Sequence, residues 1–434
     1  MIKKFLEYAI PSALAMFVSS FNTILDGIFL GKGLGDVALT AVSIVVPLVM
    51  VFLGLSSLMA VGGGALVSKN FGSGDDERAI NIFRQVIKVL ILGSVSLTIF
   101  CILFSNNIVR FMGATESLVG LSAEYLTFYA VFCLPNLLGL VFCSFLRNDG
   151  RPKLAMIATL SGTIFHIALN YIFIFKLGFG IKSAAIASGL GQLSTLMIML
   201  PHFVFKKGKL SFGIAKIEKD VLKELFAIGF PSFFAECAFS IIILAHNIVL
   251  TRVVGDVGLS AYAVVNYITT NIYNLLMGIT LGVQPLISYN FGSKETNKML
   301  SYYSMATKMS IFVSVIFTIV CFLFGREIIK IFTGDEEIIL MAYVALNMAN
   351  IAYLMIGKNL TTTMYYQAIE MPIHSNVIGA LRSILLLPII LIIFSKLFGA
   401  NGIWVSMAIS ELLTVLIMSK AVNIKECTKN AISL

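Results

Sequence analysis

The chain has 434 residues, of which 58% are hydrophobic and only 12% charged, with a formal net charge of +9 at pH 7. Ordinary soluble domains carry about 25% charged residues, so this composition excludes a typical water-soluble fold. The basic excess needs a location along the chain before it says anything about partners.

Apolar runs of about 20 residues, the length a helix needs to cross a hydrocarbon core of about 30 Å, recur at 5–30, 37–62, 82–106, 122–146, 153–175 and 183–205. They return at 224–250, 259–287, 303–325, 338–366, 374–397 and 403–421. The runs are continuously apolar, whereas membrane strands alternate with period two over about 10 residues, so helices are indicated. The expected fold is an all-α integral membrane protein of 12 transmembrane helices.

Placing the N-terminus in the cytoplasm puts 21 of the 31 Lys and Arg residues on that side and 8 on the other, with Lys358 and Arg382 inside predicted helices. An even number of crossings then leaves both termini cytoplasmic, in a multi-pass membrane protein. The basic charge marks topology, and nucleic-acid binding is a poor reading of it.

The start, MIKKFLEYAIPSALAMFVSS, imitates a signal peptide. A repeat argues for a retained helix instead. Sliding residues 8–73 onto 228–293 without a gap gives 20 identities in 66 positions, and Pro11-Ser12 meets Pro231-Ser232 in mid-chain. The tetrapeptide NFGS, at 70–73 and again at 290–293, closes the second helix of each half. Two homologous six-helix bundles follow: an N-lobe over 1–205, a C-lobe over 221–434, and between them a cytoplasmic linker, 206–220, basic and broken by Gly208 and Gly213.

Charged side chains near the centre of a spanning helix cost about 2.5–3.5 kcal/mol on insertion scales, so the few present carry the functional argument. Ser19, Asn22 and Asp26 are spaced by three and four and share one face of helix 1, where a carboxylate beside an amide makes a cation or proton site. A carboxyl group moved from water into a dry interior favours its neutral form. On helix 5, His166 and Asn170 lie one turn apart and can meet Asp26; the alternative for His166 is a hydrogen bond to a neighbouring backbone carbonyl.

In the second half, Glu236, Ser240 and Asn247 share a face of helix 7, and His246 occupies the repeat position of Asp26. The two lobes therefore cannot carry equivalent cation sites. Helix 8 bears a polar stripe of Asn266, Thr270 and Tyr273 where helix 2 has Val46, Met50 and Leu53. Lys358 and Arg382 read more readily as snorkelling or paired structural cations than as ligands. Glu411 either pairs with one of them or lines a cavity. Glu236, His246 and Glu411 are candidates for a C-lobe ion or substrate site, and Ser19, Asn266, Thr270, Tyr273 and Lys358 for cavity lining.

The six cysteines form no C-x-x-C and read as packing residues. No H-E-x-x-H, G-x-S-x-G or G-x-x-x-x-G-K-[ST] occurs, so neither catalysis nor an ATP site is indicated.

GVQPLISYNFGS at 282–293, GGGALVSKNFGSGDDERA at 62–79, LRNDGRPKLAM at 146–156, FNTILDGIFLG at 21–31 and LGFGIKSAAIAS at 177–188 together resemble the multidrug and toxic compound extrusion (MATE) family, in its MepA/DinF-like bacterial branch. The resemblance spans essentially the whole chain. It implies a cofactor-free antiporter, monomeric in the bilayer, that exports cationic amphipathic drugs against a downhill flow of cations or protons. The family's helix 1 acid falls on Asp26. Its helix 5 motif, Asn-x-x-x-Asp, falls on His166 and Asn170, and this chain departs at both. Losing the second carboxylate favours a proton over a sodium ion, with Na+ at Asp26 as the alternative. A helix 7 acid of some members falls on Glu236. The rival expectations are a lipid-linked oligosaccharide flippase of the same superfamily and an integral-membrane transferase.

Overall fold

The computed structural model describes residues 1–433, and among these the fold is all helical. The helices are α1 (Ile2–Leu34), α2 (Asp36–Ser73), α3 (Asp76–Phe111), α4 (Glu116–Val131), α5 (Cys133–Asn148), α6 (Pro152–Tyr171), α7 (Lys182–Val204), α8 (Lys219–Val253), α9 (Asp256–Gly292), α10 (Thr296–Lys330), α11 (Glu336–Ala368), α12 (Pro372–Ala380), α13 (Leu386–Ala421) and α14 (Ile424–Ser433). Single π-helical turns, Ile172–Lys176 and Leu381–Leu385, continue α6 and join α12 to α13.

The twelve expected spans map onto these elements. The fourth is α4 and α5 together, bent by 50° at Phe132. The eleventh and twelfth run through one 50-residue helical stretch, Pro372–Ala421, interrupted at Gly399, whose φ of 58° and ψ of −135° no helix holds. The eighth, α9, is the most polar at mid-length, with Asn266, Thr269, Thr270, Asn271 and Asn274.

The repeated NFGS ends both helices in one way. Asn70 and Asn290 donate their amides back to the carbonyls of Leu66 and Leu286, at 2.8 and 2.6 Å. The backbone N–H of Asp75 then reaches the Asn70 carbonyl at 2.9 Å, and that of Glu295 the Asn290 carbonyl at 2.8 Å. Such reverse bonds satisfy last-turn carbonyls and need one residue in the left-handed region. That residue is Gly74 (φ 84°) in the first copy and Lys294 (φ 58°) in the second.

The chain forms two compact units, and they do not coincide with the sequence halves. One comprises Val18–Cys237, the other Met1–Phe17 with Ala238–Leu434. The first turns of α1 thus belong with the second half, and the first turns of α8 with the first half. Glycines explain the exchange. In the Val18–Cys237 unit, Gly62 of α2 lies against the Leu225 carbonyl of α8, and Gly229 of α8 against the Leu58 carbonyl, closer than any Cβ tolerates. In the other unit, a Cβ on Gly282 of α9 would sit 2.5 Å from the Tyr8 carbonyl of α1, and one on Gly278 2.5 Å from Ala13 Cα. Small residues that let helix backbones touch are the means by which spans associate in lipid. Gly62 and Gly282 are 220 positions apart, so the crossing is itself repeated.

Candidate functional site

Asp26 sits on the part of α1 that belongs to the Val18–Cys237 unit, where α6 brings two side chains to it. The Asn170 amide donates to Asp26 Oδ1 at 2.6 Å, and His166 Nε2 lies 3.3 Å from the same oxygen without the alignment of a hydrogen bond. Asn170 is fully buried, His166 is 7% exposed at its side chain and Asp26 31%. The carboxylate therefore keeps an open side while its partners are enclosed.

The local fold positions these groups. Gly191 of α7 has room only for hydrogen: a Cβ there would stand 2.6 Å from the Cβ of His166, so α6 and α7 meet nearly backbone to backbone at the histidine. Immediately after Asn170 the helix gives way to the π turn Ile172–Lys176, a deviation often found at functional positions. Phe29, one turn beyond Asp26, packs edge-on against Tyr171, the last residue of α6, and Phe175 of that turn, with ring centroids 6.2 and 5.7 Å away. An aromatic wall thus closes one end of the cluster.

Three polar atoms here lack hydrogen-bond partners although buried: Asn22 Oδ1, Asn170 Oδ1 and His166 Nε2. Buried polar atoms are rarely left so, and the usual occupants are water or an ion. Two amide oxygens and one carboxylate are hard acceptors, suited to a proton carried with water or to a small hard cation. Among the described residues no group of three or more His, Cys, Asp and Glu side chains is arranged to hold a metal ion.

The repeat position of Asp26 is occupied differently. His246 is 3% exposed, its Nδ1 lies 2.9 Å from the Ile242 carbonyl, and its ring stacks on Tyr262 at 5.0 Å with Trp404 beyond. It is a packed core histidine, and among the described residues no carboxylate pairs with it.

Glu236 belongs to the same unit as Asp26, where it accepts a hydrogen bond from Ser57 at 3.2 Å. His246 and Glu411 belong to the other unit. Glu411 takes the first of its two expected roles. Arg382 donates from Nε and Nη2 to Glu411 Oε1, at 2.9 and 2.6 Å, and the Asn359 amide donates to Oε2 at 2.6 Å. Both charged side chains are nearly buried, 12% and 5% exposed, so the pair is a neutral tie joining α11, the π turn Leu381–Leu385 and α13. Lys358, next to Asn359, takes no part in it.

Asn266, Thr270 and Tyr273 are each partly exposed along α9, with Tyr273 stacked on Phe239 at 6.3 Å, and Ser19 and Asn22 are likewise partly exposed on α1. Sequence reasoning missed the Asn359 contribution to Glu411. The partners stand 29 and 52 residues apart in the chain, and no periodicity links them.

The MatE family pattern matches residues 11–172 and 231–393, two stretches in the register of the internal repeat. The chain is 25% identical over 419 residues to the multidrug export protein MepA of Staphylococcus saprophyticus, covering 95% of this chain and 92% of that protein. It is 26% identical over 421 residues to MepA of a bovine Staphylococcus aureus strain, with the same coverage. A solved structure described as the outward-facing conformation of a multidrug resistance MATE family transporter of the MOP superfamily superposes with a TM-score of 0.92, at 23% identity, over 99% of this chain and 96% of that one.

Proposed function

The chain belongs to the MatE family, and from that premise we propose that it is a proton-coupled antiporter exporting cationic amphipathic compounds across the bacterial plasma membrane, with Asp26 as the coupling group. The carrying observation is the Asp26 carboxylate on α1, held by Asn170 at 2.6 Å and faced by His166.

Protonation of Asp26 would convert an acceptor-only group into one with a hydroxyl to donate, and the unpartnered amide oxygens of Asn22 and Asn170 supply acceptors for it. The bond from Asn170 then weakens, because hydrogen bonds to an ionised carboxylate are the stronger kind. Neutralisation also removes the negative charge that attracts a cationic passenger. Loss of grip on the drug and release of α1 from α6 thus follow from one proton. A membrane potential of 100 mV contributes about 2.3 kcal/mol for each charge moved across it, enough to drive such an exchange.

A sodium-coupled reading is favoured by the same unpartnered oxygens, which are sodium-type ligands, and disfavoured by the lack of a second carboxylate. Reconstituted wild type and Asp26→Asn, loaded with a fluorescent organic cation and challenged with imposed pH or sodium gradients, separate the two. Export driven by pH in the wild type and lost in the variant supports the proposal. A variant as responsive as wild type removes Asp26 from its role, and export driven by sodium alone replaces the ion.

A further inference from the structure

The segment joining α7 to α8 is a strap built into its unit. At its start, the buried pair His202 and Asp149, with Nε2 and Oδ2 2.7 Å apart, fixes a carboxylate that also accepts the backbone N–H groups of Lys209 and Leu210, at 2.9 and 3.3 Å. Arg84 donates to the Ser211 carbonyl at 3.0 Å and Lys88 to the Ala215 carbonyl at 3.2 Å. At its end, Glu218 exchanges hydrogen bonds with Gln85, at 2.8 and 3.1 Å, and accepts from Asn81 at 2.8 Å. Leu210 is fully buried, and Phe212 packs on Phe83, Phe142 and Phe203.

A strap held this firmly presents its remaining side chains in fixed directions. Ile214 is 97% exposed, Phe205 70% and Ile217 40%. Beside them stand Lys206, Lys207, Lys216 and Lys219, all exposed and none with an ion-pair partner among the described residues; Lys207 Nζ lies over the Phe205 ring, 5.9 Å from its centroid. Lys209, by contrast, is paired with Asp76 at 2.7 Å. The other segment that follows a sixth span, α14, turns its apolar residues Ile424, Cys427, Ala431 and Ile432 onto the core of its own unit. Ile214, Phe205 and Ile217 of the strap are left exposed.

We propose that this strap is a docking surface for anionic phospholipid of the cytoplasmic leaflet, with Ile214 and Phe205 entering the headgroup layer and the four lysines pairing with lipid phosphates. The assignment rests on the topology read from the lysine distribution. Exposed apolar side chains set among lysines that have no ion-pair partner, directly after a spanning helix, are the combination by which basic segments recognise acidic lipid surfaces. The lysines choose the lipid charge, and the apolar side chains supply depth.

The test uses the full chain in vesicles. Ile214→Trp adds a fluorophore at an exposed position, and the parent protein, with its single tryptophan Trp404, gives the baseline. With lipid tails brominated near the headgroup, the added emission should be quenched at least twofold more in phosphatidylglycerol than in phosphatidylcholine. Replacing Lys206, Lys207, Lys216 and Lys219 by Gln should erase that difference. Added emission that brominated lipid does not quench in either vesicle, as for a strap facing bulk water or a protein partner, overturns the proposal. So does quenching indifferent to both lipid charge and the lysines.

Discussion

Positions 220 apart in the two halves keep their backbone and change their chemistry. Gly74 and Lys294 both sit at positive φ and end the second helix of their half, and Gly150 and Glu370 do the same after the fourth span. The hydrogen bonds agree: Arg151 N–H reaches the Leu146 carbonyl at 2.7 Å, and Met371 N–H the Tyr366 carbonyl at 2.8 Å. Asp26 and His246 occupy one helical position, yet the acid is open and faced by polar side chains while the imidazole is stacked into a core. A duplicated scaffold thus holds its turns by geometry alone, and leaves each half free to be charged or inert.

The comparison is broken most sharply at Asp26. Asp26→Asn should reduce pH-driven export in vesicles to the leak rate, whereas His246→Ala should leave the pH response in place and lower only thermal stability. A His246 variant that loses the pH response would make the halves functionally equivalent.

Next in size is the ion pair. Arg382→Met alone leaves the Glu411 carboxylate without its cation and should cost about 3–5 kcal/mol, while Arg382→Met with Glu411→Leu should recover much of that loss. Thermal unfolding in detergent measures both. A double variant as unstable as the single one would show that the pair is more than a neutral tie.

The repeated glycine crossings should respond alike. Gly62→Val and Gly282→Val should each destabilise by about 3 kcal/mol, the upper part of the range for overpacking, because the atoms met are backbone carbonyls that cannot swing aside. Unequal losses would show that one crossing is plastic.

The smallest effect lies at the turns. Lys294→Gly should stabilise by about 0.5–1 kcal/mol, since a non-glycine residue in the left-handed region costs about 1–2 kcal/mol and glycine's chain entropy returns part of it. Gly74→Lys should do the reverse, again read by thermal unfolding.

Apolar run length made the spans legible in the sequence, and the ungapped identity of residues 8–73 with 228–293 made the duplication legible. The pairing of Asp26 with His166 and Asn170 was legible too, because spacing of three and four residues fixes a helix face. The exchange of α1 and α8 was not, since identity between halves does not say which half a helix packs into. Gly62 and Gly282 were already among the identical positions and, as backbone-contact residues, were the available signal. Residues 206–220 read as a cytoplasmic linker because of their glycines and lysines. In the structure Gly208 is required where the chain passes Asp149 and His202, and Gly213 where it passes Arg84. Leu210 and Phe212, apolar among lysines, mark the docking.

The exchanged helix starts bear on how the protein is made. Residues 1–17 leave the ribosome before the unit Val18–Cys237, yet the glycines they pack on, Gly278 and Gly282, are translated some 260 residues later, after every residue of that unit. At about 5–20 residues per second the nascent segment 1–17 waits about 10 s or more for its partner. A nick in the strap would likewise yield two fragments, each carrying the other's missing turns, so that neither half is a self-sufficient translation product.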